Sequence, residues 1–122
     1  GLTPARLERF AARAARACAA LDAAAEALLA AGLREEAGAV RLDGEALFAA
    51  PAEIRLRCLR RAIEALGRPP RLERLETLLE ALESARAAGR PLRRSLAGTL
   101  IALHAGGDVV LEREARDSRR KA

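Results

Sequence analysis

The sequence predicts a mainly α fold, a small helical bundle of about four helices with a C-terminal β-hairpin. Three observations point there. Apolar residues recur in steps of three and four over long stretches, the period of helices with one buried face. Phe10 and Phe48 are the only aromatics in 122 residues, so a core must come from Leu, Ile and Val ridges, with Ala letting helices approach closely. Near residue 99 the period changes, and two β-prone runs flank a Gly-Gly turn.

The first helix has a clear start. Thr3 suits the N-cap and Pro4 the first helical position, where a missing N–H costs nothing. The stripe Leu7, Phe10, Ala14, Ala17, Leu21, Ala24 and Leu28 then keeps one face apolar until Gly32. Its alanine-rich middle predicts close contact with another helix. Residues 33–43 read as a connection with a short extended piece at Val40 to Leu42. Asp43 caps a brief helix that carries Leu47 and Phe48.

Pro51 opens a third helix with Ile54, Cys58, Leu59, Ala62, Ile63 and Leu66 inward, stopped by Gly67. Pro69-Pro70 forces a turn into a fourth helix, with Leu72, Leu75, Leu79 and Leu82 inward, ending at Gly89 before Pro91. The runs Thr99 to His104 and Val109 to Glu114 form the hairpin. The expected organisation is a helical domain over 1–92, a hairpin extension packed on it over 93–115, and a polar tail over 116–122.

Charge is distributed unevenly within a net +5. Arg6, Arg9, Arg13 and Arg16 form one stripe in the first half of the first helix, where the macrodipole favours acids. Local helix stability does not explain them, so a basic surface is expected. A second cluster holds Arg55, Arg57, Arg60 and Arg61, then Arg68, Arg71 and Arg74 around the Pro-Pro turn. Pairs four residues apart, Glu53 with Arg57 and Arg60 with Glu64, can satisfy part of it. Arg68 and Arg71 have fewer obvious partners. The alternative explanation is compositional: all cations but Lys121 are arginine, as a GC-rich coding sequence would produce. Glu73, Glu76, Glu80 and Glu83 read as a solvated acidic face.

Several function classes are disfavoured. Gly106-Gly107 sits between two strands rather than between a strand and a helix, so it is a turn and not a phosphate loop. His104 is the only histidine and lies far in sequence from Cys18 and Cys58, which leaves no metal-ligand or Cys/His spacing. The two cysteines read as small apolar helix residues in a reducing compartment. No apolar run reaches the roughly 20 residues of a membrane span. The scarcity of aromatics argues against a platform for stacking splayed bases, so any RNA contact would be to phosphates and would weaken with salt.

The order of segments carries a resemblance. A Gly-Leu-Thr opening leads to "ALDAAAEALLA", then "LDGEALFAAPAEIRLRCLRRAIEALG", "RPPRLERLETLLEAL" and "RRSLAGTLIALHAGGDVVLERE". Over about residues 1 to 116 this resembles the helical region that follows the catalytic domain in bacterial tRNA(Ile)-lysidine synthetases. Its most specific parts are Pro70-Arg71 entering a Leu-rich helix, and Leu96-x-Gly98 leading through the hairpin to Arg113-Glu114.

The resemblance implies a cytoplasmic parent enzyme that adenylates a wobble cytidine of tRNA(Ile) with ATP and couples lysine to it. The ATP and Mg sites would lie in a preceding ATP-pyrophosphatase domain with a Ser-Gly-Gly-x-Asp-Ser loop. This sequence lacks that loop, so no catalytic residue and no cofactor site is expected in it. Its partners would be tRNA(Ile) and that catalytic domain, with no membrane; a homodimer stays open. By the same analogy Arg57, Arg61, Arg68, Arg71 and Arg113 become contacts to tRNA phosphates. So do Arg6, Arg9, Arg13 and Arg16. The competing reading is a helical protein-interaction module with no nucleic-acid role, docking through the Ala-lined first helix or a hairpin edge; a stand-alone enzyme ranks below both.

Overall fold

Helix boundaries fall where capping chemistry places them. The computed structural model describes residues 3–115, with the elements α1 (Pro4–Gly32), β1 (Leu33–Glu36), β2 (Ala39–Leu42), α2 (Gly44–Ala49), α3 (Ala52–Leu66), α4 (Leu72–Ala87), β3 (Leu92–Leu96), β4 (Thr99–Leu103) and β5 (Val109–Arg113). Thr3 Oγ1 accepts from the Arg6 N–H at 3.2 Å, closing the start of α1. Gly67 ends α3, and Gly89, at φ +67°, follows α4. The expected tail at 116–122 lies outside the described residues.

The four helices are as expected, but the β structure is more than a C-terminal hairpin. Five strands form one antiparallel sheet in the order β1-β2-β5-β4-β3. The connection after α1 is itself a hairpin, and the segment before Thr99 is an edge strand. Both hairpins close on Ala-Gly: Ala37-Gly38 at φ 49° and 81°, and Ala97-Gly98 at φ 53° and 82°. Paired positive φ values are those of a type I′ turn, which alanine adopts only under strain. Strand pairing on either side holds it there.

Alternation in β2, β4 and β5 turns Val40, Leu42, Thr99, Ile101, Leu103, Val109 and Leu111 toward α3 and α4. Leu59, Ile63 and Leu82 meet them, fully buried and each worth about 2 kcal/mol. Thr99 is the one buried polar side chain among the described residues, and its hydroxyl donates to the Ile63 carbonyl at 3.4 Å. Leu72, expected inward, is exposed; Leu78 takes an inward place in α4 instead.

The seam of α1 also departs from expectation. Residues 3–20 are all exposed, with Leu7 at 50% and Phe10 at 71%. Contact begins near Leu21, and the close approach falls at Ala25, whose carbonyl accepts from the Cys58 thiol at 3.6 Å. The reason is length: α3 has 15 residues against 29 in α1, and no other element reaches the first half.

Two glycines set how the layers meet. A Cβ on Gly44 would lie 1.8 Å from the Gly107 carbonyl oxygen, and one on Gly67 would lie 2.2 Å from that of Ala97. The first contact is reinforced by Asp108, which accepts from the Gly44 N–H at 2.9 Å and from Arg41 at 3.3 Å. The second brings the end of α3 against the β3–β4 turn.

Candidate nucleic-acid interface

The arginines singled out by sequence divide by what surrounds them. Arg57 and Arg61 stand on the face of α3 that meets α1. Arg57 Nη1 lies 2.7 Å from Asp22 Oδ1, and Arg61 Nη1 lies 2.8 Å from Glu26 Oε1, with a second approach to Asp22 at 3.8 Å. These hydrogen bonds to carboxylates raise both guanidinium pKa values above the ordinary arginine range. Arg57 also reaches Cys18 Sγ at 3.9 Å, while its buried Nε has no acceptor. The helical pair expected between Glu53 and Arg57 is replaced by this cross-helix pairing, because Asp22 approaches from α1. Arg60 and Glu64 do pair, at 3.4 Å. Cys18 is exposed rather than packed; Cys58 is buried, and that burial pushes its thiol pKa up.

Beyond Gly67 the surroundings change. Arg68 and Arg71 are exposed, and no carboxylate lies within ion-pair distance of either among the described residues. The fold holds their backbone while leaving their charge free. The Arg68 N–H donates to the Ala97 carbonyl at 2.8 Å, and its guanidinium lies beside Gly98. Arg71 is the N-cap of α4 and makes no side-chain cap bond. Arg113 reaches the same end through β5, where its Nε donates to the Leu66 carbonyl at 2.9 Å. The Glu114 N–H, donating to Gly98 at 2.8 Å, closes the assembly.

Arg6, Arg9, Arg13 and Arg16 lie on the exposed first half of α1, with no ion pair among the described residues. No contact joins them to the Arg68 end, so the sequence-derived set does not converge on one site. Arg94, not singled out by sequence, is carried on β3 to the side where α4 begins. The Ala97-Gly98 turn was the available clue, because it closes a hairpin that makes residue 94 part of a strand.

Gly106 and Gly107 lie in the β4–β5 turn, where the Gly107 N–H donates back to His104 at 2.8 Å rather than facing a ligand. Among the described residues no three His, Cys, Asp or Glu side chains gather to hold a metal ion. No helix of the described residues is long and apolar enough to cross a membrane.

Comparison with known proteins places these features in context. The chain is 50% identical over 121 residues to the tRNA(Ile)-lysidine synthase of Methylobacterium sp. (strain 4-46), covering 93% of the chain and 35% of the relative. It is 46% identical to that of Methylobacterium nodulans, with the same coverage. To that of Bradyrhizobium diazoefficiens it is 42% identical over 124 residues, covering 84% of the chain and 34% of the relative. The chain thus spans about a third of the length of the curated relatives it matches. No family model matches it, and no solved structure matches it.

Proposed function

We propose that this chain, homologous over most of its length to about a third of the tRNA(Ile)-lysidine synthases, is the part of such an enzyme that holds tRNA. One observation carries the reading. Arg68 and Arg71 stand in the α3–α4 connection and Arg113 of β5 donates to the Leu66 carbonyl just before it, and Arg68 and Arg71 have no acid in ion-pair range among the described residues. Unpaired guanidiniums on a rigid backbone suit phosphate oxygens, which they can grip with two parallel hydrogen bonds.

In this reading the parent enzyme uses ATP and Mg in a separate catalytic domain to ligate lysine to the wobble cytidine of tRNA(Ile), in the cytoplasm. This chain supplies position and affinity and no catalytic group. Phosphates rather than bases are its targets, since Phe10 and Phe48 are the only aromatics, and Phe48 already stacks under Arg86 at 4.9 Å. Arg57 and Arg61, committed to Asp22 and Glu26, hold α1 against α3 and contribute at most weakly to the phosphate surface. The stripe of Arg6, Arg9, Arg13 and Arg16 forms a second, separate phosphate surface.

The test is binding of an isoleucine tRNA transcript by the 122-residue chain at several salt concentrations. Affinity should fall steeply with salt, and Arg68→Glu with Arg71→Glu should weaken it about a hundredfold. Salt-independent binding, or unchanged affinity in that double variant, would contradict the site.

The exposed Leu7 and Phe10 favour a second reading, in which the first half of α1 docks protein: the parent's catalytic domain or another copy of the chain. That association would persist at high salt and be lost in Leu7→Ser with Phe10→Ser.

A further inference from the structure

Between the start of α4 and the edge strand β3 runs an open groove of about 560 Å³. Its helix wall carries Arg74, Thr77 and Ala81, and its strand wall carries Arg94 and Ser95. Arg74 and Arg94 are both exposed, with no carboxylate in ion-pair range among the described residues. One Arg94 nitrogen donates to the Arg93 carbonyl at 2.9 Å, which leaves the rest of its fork open. Two acids lie near. Glu73 also lines the groove, and Glu114 is engaged at 3.2 Å by the Ser95 hydroxyl.

The groove starts close along the chain to the Arg68 end. Its helix wall begins just after the Arg71 cap, and its strand wall leads through Ala97-Gly98 to the Arg68 backbone. Arg71 and Arg74 sit at a helix N-terminus, where the macrodipole disfavours cations, so their placement does not serve α4 itself. Two guanidiniums on facing walls suit a chain of phosphates that enters lengthwise. Leu78 and Leu96 also line the groove, and no aromatic lines it to stack a base.

We propose that this groove receives the phosphodiester backbone of RNA, with Arg74 and Arg94 gripping phosphates from opposite walls. The proposal rests on the tRNA-holding reading and extends that site past Arg68 and Arg71. Glu73 limits the affinity by facing the same backbone.

The experiment measures binding of an isoleucine tRNA transcript to the full 122-residue chain across a salt series, with circular dichroism confirming the fold of each variant. Arg74→Gln with Arg94→Gln should weaken binding about tenfold near 0.15 M salt, and should make the plot of log affinity against log salt shallower by about two. Glu73→Gln should tighten binding about twofold, since it removes a like charge from the phosphate path. Ala81→Glu, which puts bulk and negative charge into the groove, should weaken binding as much as the arginine pair does. An unchanged salt slope in the folded Arg74→Gln, Arg94→Gln variant overturns the proposal, and so does unchanged affinity in Ala81→Glu if the first variant fails to fold. If Arg68→Glu with Arg71→Glu weakens binding while the groove variants do not, the groove alone is wrong. If the unmodified chain binds no tRNA, the reading beneath it falls as well.

Discussion

Arg57 and Arg61 differ from Arg68 and Arg71 only in what the fold brings next to them. The first two lie where α1 crosses α3, and Asp22 and Glu26 arrive to pair with them. The second two lie past Gly67, where the chain turns against Ala97 and no carboxylate among the described residues comes within ion-pair distance. The same residue type, one short segment apart, thus acts as a staple between helices in one place and as an open charge in the other. Counting arginines does not tell these two kinds apart; asking which of them already have a counter-charge does.

The hinge of this comparison is Gly67 itself, and breaking it should have the largest effect. Gly67→Ala drives a Cβ into the Ala97 carbonyl, so it should cost about 3 kcal/mol or more by thermal or denaturant unfolding. It should also scatter the Arg68 end, so that tRNA binding falls even where the protein remains folded. Next comes the staple. Arg57→Ala leaves Asp22 only the longer approach of Arg61 and should lower the unfolding midpoint slightly, whereas tRNA affinity of the folded protein stays within about twofold. Arg71→Gln should do the reverse, with an unchanged midpoint and affinity weakened several-fold.

A pH effect separates the body from the arginine end. The N–H of Gly44, helped by Arg41, holds the Asp108 carboxyl below the usual carboxylate range. A carboxyl with a lowered folded-state pKa stabilises above its unfolded value of about 3.9, and that contribution is lost as pH falls through the folded value. Acid unfolding should therefore set in as pH falls below about 4, and Asp108→Asn should flatten that part of the curve with only a small loss of stability at neutral pH, since the carboxylate is partly solvated. Smallest of all is Arg60→Ala. Its pair with Glu64 is a solvated helical contact at 3.4 Å, worth a few tenths of a kcal/mol in a denaturant titration.

What the sequence made legible follows from which forces act locally. Thr3, Pro4, Gly32, Gly67, Pro69-Pro70 and Gly89 act within a turn of their own position, and the helices begin and end on them. The Gly106-Gly107 turn and its flanking strands were readable for the same reason. β1 and β3 were not, and of β2 only the extended piece at Val40 to Leu42 was legible, without its pairing. Ala37-Gly38 and Ala97-Gly98 are poor turn formers on their own, and they hold positive φ because neighbouring strands pair around them. β3 also carries two arginines and a serine between its leucines, which conceals it among polar connections. At the site, the basic clusters were visible but their partners were not: Asp22 meets Arg57 across 35 residues, a distance that no helical spacing rule spans. Likewise the stripe of α1 correctly marked a helix, but only the length of α3 decides that Leu7 and Phe10 stay uncovered.

The most direct test compares the two arginine pairs in one experiment. The salt dependence of tRNA binding is measured for Arg68→Gln with Arg71→Gln and, separately, for Arg61→Gln. If phosphates meet the arginines beyond Gly67, the slope of log affinity against log salt becomes shallower by about two in the first variant and is unchanged in the second. A slope that changes for Arg61→Gln and not for the Arg68, Arg71 pair would place the RNA on the α1–α3 seam and contradict the account.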